Sequence, residues 1–190
     1  MDAAEAERLI APAVPVGSAV WADFGAGDGT FTRALASRLG PGSRIYAVDR
    51  DARALAALKR SVVRSGADVA IVRANLEQPV ELPDLQPGTL DGLLVANTLH
   101  FMSDPPGVLA RLVRWLRPGG SAVVIEYDQR QASRWVPHPI ESSDLPALFH
   151  AAALTPPRIV ARADSAFGGE MYVAVAVRDS SSKQRAALRA

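Results

Sequence analysis

The chain has no cysteine among its 190 residues, which excludes disulfides, thiolate nucleophiles and Cys-ligated metal centres. No metal site is expected. No apolar run approaches the roughly 18 residues needed to cross a bilayer, and no internal repeat is present. The first twenty residues lack a basic start followed by an apolar stretch, so a soluble, cytoplasmic protein is expected. Charge of one sign is also missing. With 21 Lys and Arg against 20 Asp and Glu, the net charge of +1 supplies no global field to gather a polyanion, and neither nucleic acid nor membrane is expected as a partner. What the chain does have is 48% apolar content, enough at this length for one substantial core.

The most informative stretch runs from Val20 to Asp49. V-W-A-D-F-G-A-G-D-G-T-F-T-R-A-L-A is followed, after Gly40-Pro41-Gly42, by I-Y-A-V-D-R-D. Gly25, Gly27 and Gly29 stand where a buried strand turns sharply into a helix while a ligand lies against the backbone, and side chains there would block both. Asp49 follows Gly29 by twenty residues and closes the next strand, the position from which a carboxylate can accept from both hydroxyls of a ribose. A dinucleotide fingerprint would require a further glycine at position 30, occupied here by Thr30. Asp23 and Asp28 also flank the turn; they would repel a pyrophosphate and suit a ligand carrying an ammonium and a sulfonium. That charge favours S-adenosylmethionine over a nicotinamide dinucleotide.

The rest of the chain alternates strands with helices. A first helix is expected over residues 2–10, with Ala6, Leu9 and Ile10 on one face, before Pro12 and Pro15 stop it. Strands are expected at 19–23, 45–49, 69–73, 92–96 and 121–126. Phe31, Leu35 and Leu39 mark a helix that Gly40 stops; Asp51 caps another, with Leu55, Leu58, Val62 and Val63 inward and Gly66 as its end. The proline-rich stretch from Pro79 to Gly88 is expected as a loop or short turn. Asp104-Pro105-Pro106 begins a helix whose Val108, Leu109, Leu112, Val113 and Leu116 face inward, until Pro118-Gly119-Gly120 ends it. Ser143 or Asp144 caps a last helix, and strands 158–163 and 171–177 are too close in sequence for anything but a hairpin. Trp21 and Trp115 are expected in the core and His150 at the surface. These patterns describe an α/β, Rossmann-like, seven-stranded sheet, mostly parallel with a C-terminal antiparallel hairpin and helices on both faces.

Five segments in order, A-D-F-G-A-G-D-G, A-V-D-R-D, R-A-N-L-E, L-L-V-A-N-T-L-H and L-R-P-G-G-S-A-V-V-I-E, resemble the motifs of class I S-adenosylmethionine-dependent methyltransferases. The resemblance covers about Val20 to Val177. It implies S-adenosyl-L-methionine as cofactor and one methyltransferase domain over 1–178; the tail over 179–190 has little to bury and is expected to be mobile. It further implies Asp23, Gly25, Ala26 and Gly27 beside the methionine arm, Asp49 on the ribose, Asn75 and Leu76 on the adenine edge, and Asn97 at the sulfonium end. Arg50 departs from the usual apolar residue, but its stem can cover the adenine face. Asn75 replaces the commoner Asp, and its amide oxygen can still accept from the adenine amino group.

Methyl transfer from a sulfonium is an in-line displacement, in which alignment supplies about 7–11 kcal/mol in favourable cases. A base is needed only if the acceptor carries a proton at reaction. His100, three residues after Asn97, is the candidate base. Glu126, Tyr127, Arg134, His138 and Tyr172 are candidate substrate contacts, the first four on or just after the fifth strand. Asn97-Thr98-Leu99-His100 lacks the Asn-Pro-Pro-Tyr type signature of enzymes that methylate exocyclic amines. A small-molecule acceptor, methylated on O, N or C, is therefore expected, with RNA or protein methylation or non-catalytic cofactor binding as alternatives. Little of the chain is available to roof an acceptor, so either the site is open or a second subunit of a homodimer covers it.

Overall fold

The computed structural model describes residues 1–62, 66–165 and 168–179. Its sheet contains β1 (Val20–Phe24), β2 (Arg44–Asp49), β3 (Asp68–Arg73), β4 (Leu90–Ala96), β5 (Leu116–Asp128), β6 (Arg158–Asp164) and β7 (Glu170–Val177). Their order is β3-β2-β1-β4-β5-β7-β6. The first five run parallel, and β7 is antiparallel to both β5 and β6. The mixed sheet and its closing hairpin are as the sequence implies. The chain reverses direction across the sheet between β1 and β4, the switch point at which ligands enter such folds.

Both faces of the sheet are buried, so its central strands are apolar on every side. In β4, Leu93 and Val95 pack with α4 (Pro105–Val113) and α5 (Leu145–Ala151). Leu94 and Ala96 point the other way, against α1 (Ala3–Ile10) and α2 (Thr30–Leu39). α3 (Ala52–Ser61) adds a smaller cluster around Leu58 and Ala47. Caps set the helix starts. Asp2 and Glu5 close a reciprocal capping box on α1, Asp51 accepts from Arg53 N and Ala54 N at α3, and Asp104 accepts from Gly107 N at α4. Asp144 precedes α5 but makes no side-chain cap bond there; its carboxylate accepts from Glu141 N instead.

One boundary departs from the sequence reading. α4 ends at Val113, and Leu116, expected on that helix, opens β5 by pairing with Leu90. Pro118-Gly119-Gly120 therefore lies inside a strand. A register shift between Leu90 and Gly92, with Gly119 at φ +74°, absorbs the proline that cannot donate to the ladder. A single 3-10 turn, Leu99–Phe101, also follows β4 where no element was expected. Val63, expected on the face of α3, and residues 180–190 of the expected tail lie outside the described residues. No described helix is long and apolar enough to cross a membrane. Trp21 and Trp115 are buried and His150 is exposed, as expected.

Gly92 of β4 lies under the Trp21 indole, and a Cβ there would overlap the ring. Gly92→Ala should lower stability by about 1–3 kcal/mol through overpacking. In urea unfolding, pairing it with Trp21→Leu should cost clearly less than the sum of the two single changes.

Candidate functional site

The glycine turn crosses the end of β2. Gly25 N and Ala26 N both donate to Val48 O, at 2.8 and 3.0 Å. Asp49 then holds the turn from below: its Oδ2 accepts from Gly27 N at 2.8 Å and its Oδ1 from Asp51 N at 2.8 Å. Gly25 (φ +86°) has no room for a Cβ, which would overlap Thr98 Oγ1, whereas a Cβ on Gly27 (φ +53°) would meet no atom within 4 Å. Beside Gly27 opens a cavity of about 370 Å³ lined by Gly25, Gly27, Asp49, Arg50, Asn75, Leu76 and Asn97. The structure thus brings together most of the residues assigned to the cofactor by resemblance. Asp51, Ala54, Ala74, Thr98, Phe101 and Met102 line it as well. Their signals were weak: Asp51 had a sufficient role as a helix cap, and Phe101 and Met102 follow His100 in a segment with no readable period.

Asp23 and Ala26 are buried and do not line this cavity. Thr32 Oγ1 donates to Asp23 Oδ2 at 2.6 Å. Burial raises the Asp23 carboxyl to about 7, Thr32 opposes the rise and the charge of Asp49 adds to it. Asn75 is exposed, and its Oδ1 accepts from Glu77 N at 3.1 Å, leaving one lone pair for a ligand amine.

A second cavity of about 770 Å³ lies between α1, the start of α2 and the ends of β5, β6 and β7. Leu9, Phe31, Tyr127, Ala161, Ala163 and Met171 give it an apolar body, and Glu5, Arg8, Arg162 and Asp164 are its charged groups. Asn97 lines both cavities. Its backbone is left-handed at φ +48°; among the described residues Nδ2 reaches only Met171 Sδ, at 3.8 Å, and the buried Oδ1 has no partner. A buried amide oxygen left unpaired in this way suits a ligand that brings a donor.

Of the candidate substrate contacts, Tyr127 lines the larger cavity; burial and then Glu126 raise its hydroxyl above the ordinary range, and Arg130 opposes them. The others are not brought there. Glu126 is 1% exposed, its carboxylate bonded to Thr98 N (3.0 Å), His100 N (3.3 Å) and His100 Nδ1 (2.6 Å). Tyr172 is fully buried and donates to Ile140 O at 3.0 Å. Arg134 stacks on the exposed Trp135 ring at 4.4 Å. His138 is exposed, and its backbone N donates to His100 O at 3.0 Å. His100 is 2% exposed and lines neither cavity. At the rim, burial pushes the Asp128 carboxyl up, but bonds from Ser142 and Arg162 outweigh this and hold it below its ordinary value. Glu170 also pairs with Arg162.

A glycine turn over an acid-tipped second strand, at the switch point of this sheet, defines a nucleoside-binding α/β protein. Residues 22–124 match the methyltransferase domain family. The chain belongs to that family, and S-adenosyl-L-methionine is its cofactor. It is 33% identical over 137 residues to the biotin biosynthesis bifunctional protein BioCD of Bordetella avium, a match covering 68% of this chain and 26% of that protein. The chain thus spans about a quarter of the length of this curated relative. Among solved structures it is similar to a SAM-dependent methyltransferase from Aquifex aeolicus, with TM-score 0.71 and 18% identity over 92% of this chain and 89% of that one. It is also similar to CrArsM, an arsenic(III) S-adenosylmethionine methyltransferase from Chlamydomonas reinhardtii, with TM-score 0.69 and 16% identity over 88% and 66% of the two chains.

Two measurements follow from this geometry. Asp49→Ala removes the carboxylate expected to accept from ribose hydroxyls and the anchor of Gly27 N, and calorimetry should show S-adenosylhomocysteine binding at least about tenfold more weakly, since a bond to a charged group is worth roughly 1.5–3 kcal/mol. Asp23 binds its proton more tightly folded than unfolded, so its contribution is most favourable below pH 4 and declines as pH rises to about 7. Asp23→Asn abolishes that decline. The melting temperature of the variant minus that of the wild type should therefore climb between pH 4 and 7 and level off above.

Proposed function

We propose that this chain transfers a methyl group from S-adenosyl-L-methionine to a small molecule seated in the larger cavity. The observation that carries the reading is that two cavities at the open end of the sheet share one residue, Asn97. The smaller fits the cofactor: bare backbone at Gly27, an acid at Asp49 for the ribose and the Asn75–Leu76 edge for adenine. Asp23 is a buried acid that does not line it, and Arg50 supplies its stem to the adenine face. When bound, the cofactor supplies a methyl group activated by a sulfonium. The protein's own part is to hold the acceptor in line and exclude water.

The larger cavity is within the size range of small-molecule sites. Its aliphatic and aromatic body, with charged groups around it, suits an amphipathic acceptor. Arg162 is already paired with Asp128 and Glu170, and a net charge of +1 gives no general pull on RNA. A relative named for biotin biosynthesis supports metabolism of small molecules. The homodimer proposed to complete the roof is read from the molecular mass in solution.

The test is S-adenosylhomocysteine release by the purified protein supplied with a low-molecular-mass cell extract, total RNA or a protein fraction. Turnover with the extract is expected; turnover with RNA or protein alone, or with none, contradicts the reading. Ala161→Trp, which fills the larger cavity, should lower kcat/KM for the acceptor at least about tenfold while S-adenosylhomocysteine affinity stays within about twofold.

A further inference from the structure

The Glu126 carboxylate lies at the sheet's interior with all of its bonds directed to one short segment. β4 and β5 are already joined by the ladder from Gly92–Ser121 to Ala96–Ile125, so the carboxylate is not needed to pair them. Burying it would be costly without full satisfaction. What its bonds fix is the chain leaving β4, at Thr98 N, His100 N and His100 Nδ1. That segment holds both cavities' common residue. Asn97 is left-handed, its N donates to Ile125 O at 2.8 Å, and no strong side-chain bond orients it. Thr98 packs on Gly25, with its Oγ1 at 3.5 Å from Gly25 O, so the same segment also bears on the glycine turn.

From this geometry we infer that Glu126 and His100 form a buried positioning pair that sets Asn97 at the junction of the two cavities, and that His100 does not serve as a base. The inference rests on the methyl-transfer reading. A general base must come within about 2.6–3.2 Å of the proton it removes. His100 instead is 2% exposed and lines neither cavity, and its ring lies against Phe101 and Tyr127 at 4.2 and 5.7 Å. Phe101 lines the cofactor cavity and Tyr127 the acceptor cavity, so the imidazole sits behind both walls. A displaced Asn97 misaligns the reacting groups, and a shift of 1 Å can cost about 10²-fold in rate.

The experiment compares Glu126→Ala, Glu126→Gln and His100→Phe by kcat and KM, by the pH profile of kcat and by the NMR resonance of the Asn97 side-chain amide. Glu126→Ala should lower kcat about 10²-fold with a much smaller change in KM, and the Asn97 amide should move. Glu126→Gln keeps a carbonyl acceptor for Thr98 N and His100 N and should recover most of kcat and the wild-type amide position. If Glu126→Ala fails to fold, His100→Phe removes only the 2.6 Å bond and should show a smaller kcat loss with an amide shift, the shape of its pH profile unchanged. Loss of a pH limb in His100→Phe would overturn the inference in favour of a base. A lowered melting temperature with kcat and the Asn97 resonance unchanged would overturn it in favour of a purely structural pair. A wild type without turnover sinks the methyl-transfer reading, whereas the amide resonance tests the pair in either case.

Discussion

One oxygen of the Asp49 carboxylate accepts from Gly27 N and the other from Asp51 N. A single side chain at the tip of β2 thereby ties the glycine turn to the start of α3. The turn's glycines are conformationally free, and its other anchors include the bonds from Gly25 N and Ala26 N to Val48 O and from Arg33 Nη1 to Asp28 O. With the turn fixed, Gly25 fits against Thr98, and the cavity beside Gly27 keeps its shape. The same residue lines that cavity, so the group that anchors the turn is also the proposed ribose contact.

Glu126 solves the same problem on the other side of the switch point. Parallel strands end in backbone N–H groups that need acceptors once the chain leaves the ladder, and here carboxylates supply them. Asp49 serves the turn after β1 and the start of α3, Glu126 the segment after β4, and Asp128 the chain near Ser142. Of the three, only Asp49 lines a cavity; Glu126 is buried against His100 and Asp128 is paired with Arg162.

Much of this was legible in the sequence because it depends on residues close together. Gly25, Gly27 and Asp49 each have a property no neighbour could replace, and the apolar runs of β1, β2 and β4 announce buried strands. The start of β5 was not legible, because Pro118-Gly119-Gly120 signals a stop and only the register shift opposite Leu90 lets a strand run through it. His100 was placed correctly at the exit of β4, but its burial depends on Glu126, a partner 26 positions away. Its surroundings could not be read from spacing. The larger cavity is harder still, since α1 and β6 come from opposite ends of the chain and meet only in the fold.

The most direct measurement is a crystal structure of the protein with S-adenosylhomocysteine. Adenosine is expected between the glycine turn and Asn75–Leu76, with both ribose hydroxyls on Asp49 and the sulfur facing Asn97 and the larger cavity. A nucleoside bound instead in the larger cavity beside Arg8, or a ribose that makes no contact with Asp49, would contradict this placement.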